Sequence, residues 1–244
     1  MNAKTMRKTS VAFAIAIAMT SAVQAQNEGR SVRLGLSIAP NLGWIKPTGK
    51  LVESDGSRLG FRFGLMTDFL IGKNANYAFA TGIYMNNVGF KYARDYGYTT
   101  TTVQVNGPDT TTITTTHTAS EAGIMKLQYV EIPISIKLKT NEIGYMTYFG
   151  QLGFDTGFRV AAKGDYETVR HDGTVKLEDE DAKDNAAELR VALLVGAGFE
   201  YNFSGNTSAL VGLKYSNGFT NVFDNDDLGQ AKLHYAELTL GVLF

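Results

Sequence analysis

The chain contains no cysteine in its 244 residues. Disulfide frameworks and thiolate metal centres are therefore excluded, and the fold must be held by backbone pairing and packing. Histidine is scarce, with only His117, His171 and His234 available. Net charge is −1 and no basic tract occurs, which excludes the electrostatic footprint of a nucleic-acid partner. A phosphate-binding glycine loop is also missing, because Gly196-x-Gly198 lacks a third glycine and a following helix. No cofactor is expected. Long apolar runs are absent too. Val11 to Met19 is the one clear apolar stretch, about half of the ~20 residues a spanning helix needs. Low hydropathy does not exclude a membrane strand, since alternate residues face lipid and lumen and the average cancels.

The N-terminus has the layout of an export signal. Lys4, Arg7 and Lys8 precede the apolar stretch, and Ala22-Val23-Gln24-Ala25 offers small residues for cleavage. The expectation is a signal peptide over 1–25 and one barrel domain over 26–244. An uncleaved N-terminal anchor is the competing reading.

Period-two alternation fills the rest of the chain. Over 187–203, Leu189, Val191, Leu193, Val195, Ala197, Phe199, Tyr201 and Phe203 share one face. Arg190, Ala192, Gly196, Gly198, Glu200 and Asn202 share the other, with Leu194 as the apolar exception. A helix would scatter these residues around its circumference. Similar alternation begins at Val32, Arg58, Tyr77, Tyr129, Met146, Ala209 and Tyr235, giving eight strands. The strand over 77–92 is less regular, which predicts a bulge near Asn86-Asn87. Pro133 inside a strand predicts a local distortion, because it removes a ladder donor. Short turns at 72–76, 140–144 and 204–207 alternate with longer polar segments at 46–57, 93–123, 161–187 and 221–232. This is the signature of an all-β, transmembrane, antiparallel up-and-down β-barrel in the bacterial outer membrane.

The two faces carry different chemistry. One face is apolar, with Tyr77, Tyr145, Tyr148, Phe158, Tyr201, Phe203, Tyr215 and Phe219 placed to form interfacial girdles. The other carries Arg33, Arg58, Arg62, Lys137, Arg159, Arg190 and Lys214 against Asp68, Glu131, Asp155, Glu200 and Glu237. An eight-stranded barrel is just wide enough to be filled by side chains. A mutually neutralising lumen network is the expectation, and a narrow channel is the alternative.

Three segments carry a resemblance. Tyr129-Val130-Glu131-Ile132-Pro133-Ile134-Ser135-Ile136-Lys137 resembles a strand of the PorT-like family of Bacteroidetes outer-membrane β-barrels. Val195-Gly196-Ala197-Gly198-Phe199-Glu200-Tyr201 and the segment from Gly212 to Val222 are similar to two further strands of that family. Lys214 stands where arginine is commoner, which keeps the charge. The resemblance implies an outer-membrane barrel of about eight strands. Its namesake takes part in type IX secretion, so secretion-system components join the expected partners. The others are outer-membrane lipid, lipopolysaccharide and the assembly machinery. The C-terminal Leu240, Val242 and Phe244 resemble the signal that this machinery reads.

The remaining motifs are weaker. His234 with Ser216 or Asn217 suggests a membrane-embedded hydrolase acting on lipid or lipid A, against the plainer reading of an interfacial histidine. Asp224-Asn225-Asp226-Asp227-Leu228-Gly229 echoes a calcium loop but has Leu228 at a ligand position. The acidic run Glu178, Asp179, Glu180, Asp181 and Asp184 reads as a solvated loop. The threonine-rich stretch 99–118 suits a projecting β-hairpin with its tip at Gly107-Pro108-Asp109. Asp109-Thr110-Thr111 resembles an O-glycosylation acceptor. The leading expectation is a non-enzymatic outer-membrane protein with a structural, surface-binding or secretion-associated role.

Overall fold

A computed structural model describes residues 32–72, 76–106, 109–204, 207–225 and 228–244. The signal-peptide expectation over 1–25, the tip residues Gly107 and Pro108, and Asp226 and Asp227 lie outside the described residues.

Nine strands are described, with one short 3-10 turn at Lys183–Asn185. They are β1 (Val32–Pro47), β2 (Glu53–Ile71), β3 (Tyr77–Asn106), β4 (Asp109–Lys139), β5 (Met146–Arg170), β6 (Gly173–Asp181), β7 (Leu189–Ser204), β8 (Thr207–Asn221) and β9 (Ala231–Leu243). Every pairing is antiparallel. Consecutive strands pair from β1 to β5, β5 pairs with β7, and β9 returns to β1. Eight strands therefore close a ring, and β6 is a ninth strand attached to the outer half of β5 alone. Closure leaves no sheet edge facing lipid, where an unpaired backbone group has no partner. The seam is tied at its end, where the main chains of Leu34 and Phe244 exchange hydrogen bonds of 3.1 and 2.8 Å.

The alternation becomes two environments. Leu36, Ile38, Leu59, Ile134, Leu152, Leu213 and Leu240 project outward and are exposed. Arg62, Asp68, Glu131, Asp155, Arg190 and Glu237 project inward and are buried. Burial is thus inverted relative to a water-soluble sheet, as lipid requires on the outside. Exposed Tyr77, Tyr145, Tyr148 and Phe203 gather at the end carrying the chain termini. Phe158, Tyr215 and Phe219 lie toward the other, joined by Trp44.

Two segments differ from expectation. The stretches 93–123 and 161–187 are largely strand rather than loop. β3 and β4 run on past the barrel as a two-stranded ribbon up to the pair Asn106↔Asp109, the form anticipated for the threonine-rich stretch. β5 extends likewise, across a register shift opposite Gln128–Tyr129 that inserts one residue after Arg159. Inward parity on β5 passes from odd residues (Gln151, Asp155) to even ones (Ala162) across this shift, so a single period-two pattern ends there.

Irregularity near Asn86-Asn87 also takes another form. Those residues pair in register with Arg62 and Phe61, and two shifts fall on β2, between Ser54 and Ser57 and between Ser57 and Phe61. Pro133 keeps its register with Asp155 on β5. On its other side the β3–β4 ladder lapses between Ala80↔Ser135 and Tyr84↔Glu131. The missing donor is therefore lost toward β3 only, and the Ser135 hydroxyl donates to the Ala80 carbonyl at 2.9 Å beside the gap.

Candidate functional site

The lumen is filled along its length by layers of side chains. Its centre is an ionic network. The Arg62 guanidinium lies 3.0 Å from Glu131, 3.0 Å from Glu237 and 3.8 Å from Asp155. Arg190 reaches Glu131 at 3.4 Å, and Lys214 reaches Glu237 at 3.8 Å. The group thus holds three cations and three anions. The Tyr235 hydroxyl donates within reach of both Glu131 (3.1 Å) and Asp155 (3.3 Å). The Asn86 amide donates to Glu131 at 2.9 Å, and Arg190 donates to the Ser216 hydroxyl at 2.7 Å. Buried charges at this density are tolerable only when paired.

A second group lies toward the termini. Lys137 pairs with Asp68 at 2.5 Å and with Glu200 at 3.6 Å. Glu200 also takes Lys139 at 2.9 Å and Arg33 at 2.5 Å. Met66, Tyr84, Phe149, Leu210 and Leu243 form a buried apolar cluster here. Arg62 lies over the Tyr84 ring at 3.8 Å, and Lys137 over the Phe149 ring at 5.0 Å.

Ten of the twelve expected lumen charges are therefore joined in ion pairs. Arg58 and Arg159 are not. Arg58 packs beside Gly89, and among the described residues it has no carboxylate within 4.0 Å. Arg159 donates through Nε to the Ala187 carbonyl at 3.3 Å, at the step where the β5 parity changes. Lys139 was not singled out by the alternation, and Tyr235, which the alternation places on the inward face, joins the network through its hydroxyl.

The outer mouth closes by apolar packing. Val88, Phe90 and Tyr92 of β3 meet Met125, Leu127 and Tyr129 of β4. Val52, Ala182, Ala186, Phe223 and Leu228, contributed by the strand connections, cover them. Phe223 meets Phe90 and Tyr92 edge-on at 5.7 Å. Gly123 makes room for this plug, since a Cβ there would lie 2.4 Å from the Tyr92 ring. Glu121 accepts from the Tyr92 hydroxyl at 3.0 Å and forms a two-pronged pair with Arg94. Burial, reinforced by the adjacent Glu121, pushes the Tyr92 phenol up. The sequence placed this segment in a loop, so Arg94 and Glu121 were not expected as a pair.

His234 and Ser216 do not form a catalytic pair. Ser216 points into the lumen and accepts from Arg190, whereas His234 lies on the outer face. His234 stacks near Trp44 and Tyr215 at 6.3 and 6.2 Å, and its Nδ1 meets the Tyr215 hydroxyl at 3.0 Å. The other histidines, His117 and His171, stack on each other at 4.0 Å on the ribbon flank. Among the described residues no group of three or more metal-ligating side chains occurs. The acidic run from Glu178 begins as part of β6, with Asp179 in the left-handed region at φ 56°.

A closed antiparallel ring with an apolar exterior and an interior packed with ion pairs defines a transmembrane β-barrel of the outer-membrane type. The model of the family described as outer membrane protein beta-barrel domain matches residues 24–224, and the chain belongs to that family. It is an outer-membrane protein of bacteria. A search of curated proteins returns no match. Among solved structures the chain is similar to Neisserial surface protein A, at 11% identity and TM-score 0.45, covering 88% of this chain and 96% of that one. It is also similar to the attachment invasion locus protein Ail of Yersinia pestis, at 14% identity and TM-score 0.39, covering 88% and 100%. The outer membrane protease OmpT of Escherichia coli matches at 8% identity and TM-score 0.41, covering 89% and 97%.

Proposed function

We propose that this chain is a non-enzymatic, non-conducting outer-membrane barrel that presents a β-ribbon for binding at the cell surface. One observation carries the reading. From Arg94 to Asn106 and from Asp109 to Ala119, β3 and β4 pair only with each other. Among the described residues neither outer edge of this ribbon is paired with a further strand, and β6 presents another unpaired strand edge beside it. Proteins usually blunt such edges, because unpaired N–H and C=O groups template pairing with another extended chain. Thr112, Thr114 and Thr116 project exposed hydroxyls on one strand, and Val103 and Ile113 are exposed nearby. The filled lumen argues against passage of solutes.

Photo-crosslinking residues at Thr112 and Thr116 in intact cells test this. Discrete protein adducts are expected there and not at lipid-facing Ile134. Adducts at neither ribbon position, in cells that carry the folded barrel, would remove the binding role.

The secretion-associated role is the second reading. It rests on the PorT-like segments at 129–137, 195–201 and 212–222. Type IX cargo in the medium of a deletion strain would drop if it holds and stay unchanged if it does not.

A further inference from the structure

The lipid-facing band has a definite outer limit at the β1–β9 seam. On β1 the outward residues run from Leu34 to Trp44, and on β9 from Phe244 to His234. Ten residue steps at about 3.3 Å, inclined by about 40°, rise about 25 Å, the height of an outer-membrane apolar band. The next outward pair is Lys46 directly opposite Lys232. Like charges in direct cross-strand register repel. Among the described residues neither lysine has a carboxylate within 4.0 Å, whereas Lys126, just beyond the apolar run of β4, is neutralised by Asp165 at 2.7 Å and Asp179 at 3.1 Å.

Below the lysines lies a flat aromatic shelf of Trp44, His234 and Tyr215. His234 is only 5% exposed, yet its Nε2 has no hydrogen-bond partner among the described residues. Two uncompensated cations, an aromatic platform and an unsatisfied buried ring nitrogen therefore meet at the outer boundary of the lipid-facing surface.

We propose that Lys46 and Lys232 bind the phosphate of an outer-leaflet glycolipid headgroup, with the Trp44–His234–Tyr215 shelf packing against the lipid beneath it. The phosphate relieves the repulsion between the lysines. The position at the edge of the apolar band selects a lipid-borne phosphate over a free one, because only the lipid also covers the shelf.

The test uses the full folded barrel in detergent micelles, titrated with bisphosphorylated lipid A and read by native mass spectrometry. Each lysine near an anionic leaflet contributes about 5-fold in affinity, so Lys46→Gln with Lys232→Gln is expected to lose about 25-fold. Lys46→Arg with Lys232→Arg keeps binding, and Lys176→Gln on β6 leaves it unchanged. Dephosphorylated lipid A binds the unaltered protein as weakly as the double glutamine variant binds the intact lipid. Millimolar inorganic phosphate does not compete. Equal binding of phosphorylated and dephosphorylated lipid overturns the proposal without any variant having to fold. So does an unaffected double glutamine variant, or displacement by free phosphate.

Discussion

Replacing Arg62 by methionine removes the cation at the centre of the lumen while keeping much of its volume. Two carboxylates at 3.0 Å and a third at 3.8 Å lose their shared partner. The central group then passes from three cations and three anions to a net charge of −1. Each 3.0 Å contact is worth about 5 kcal/mol of Coulomb attraction at an effective dielectric constant near 20, much of it offset by desolvation. Breaking a buried pair from one side costs about 3–5 kcal/mol. Because Arg62 serves several carboxylates and also covers the Tyr84 ring, a loss of about 4 kcal/mol is expected. The assay is reversible urea unfolding in phospholipid vesicles, followed by the heat-modifiable shift of the folded band. Adding Asp155→Asn to Arg62→Met restores two cations against two anions, keeps the Arg190–Glu131 and Lys214–Glu237 pairs, and is expected to recover about 2 kcal/mol. A loss below about 1 kcal/mol for Arg62→Met, or an Asp155→Asn change that deepens the loss, would refute neutralisation as the basis of lumen stability.

Three other outcomes follow from the same structure. Gly123→Leu forces a side chain into the Tyr92 ring and is expected to loosen the outer plug, seen as faster proteolysis of the 221–232 connection with the membrane-embedded half still protected. Asp165 is held below its ordinary value: burial opposes this, but the Asp179 backbone N–H and the Lys126 ammonium outweigh it. A depressed carboxylate contributes stability above its ordinary value of 3.8 and loses it as pH falls below that. The protection factor of the Asp179 amide should therefore fall below about pH 4, and Asp165→Asn should abolish that dependence. Removing Phe244 deletes one seam contact and the proposed assembly signal, so outer-membrane accumulation should fall while unassisted folding into vesicles persists; equal loss in both settings would make the residue merely structural.

The eight barrel strands were legible because lipid and lumen impose opposite demands on adjacent residues. Leu238, Leu240 and Val242 against Glu237, Thr239 and Gly241 is a contrast that nothing but a two-faced strand satisfies. The ribbon was legible only as a threonine-rich candidate. Beyond the membrane both of its faces meet water, so Thr99 to Thr102 and Thr114 to Thr116 carry no alternation to read. The outer half of β5 was hidden by the added residue after Arg159, which reverses the inward parity between Asp155 and Ala162. Lumen charges were legible as a set, but their partners depend on register between strands far apart in sequence. Arg62 meets Glu237 across 175 positions, and only the closed ring brings them together. Arg58 shows the limit, since it shares the inward face yet no carboxylate of the described residues lies within 4.0 Å of it.

The central claim is that one face of each strand meets lipid and the other a packed lumen. Single cysteines along β1, each carrying a fluorophore, test it against brominated lipid in reconstituted vesicles. Strong quenching is predicted at Leu36, Ile38 and Leu42, and little at Ser37, Ala39 and Asn41. Equal quenching at both sets, or ready labelling of both by a water-soluble thiol reagent, would contradict the barrel described.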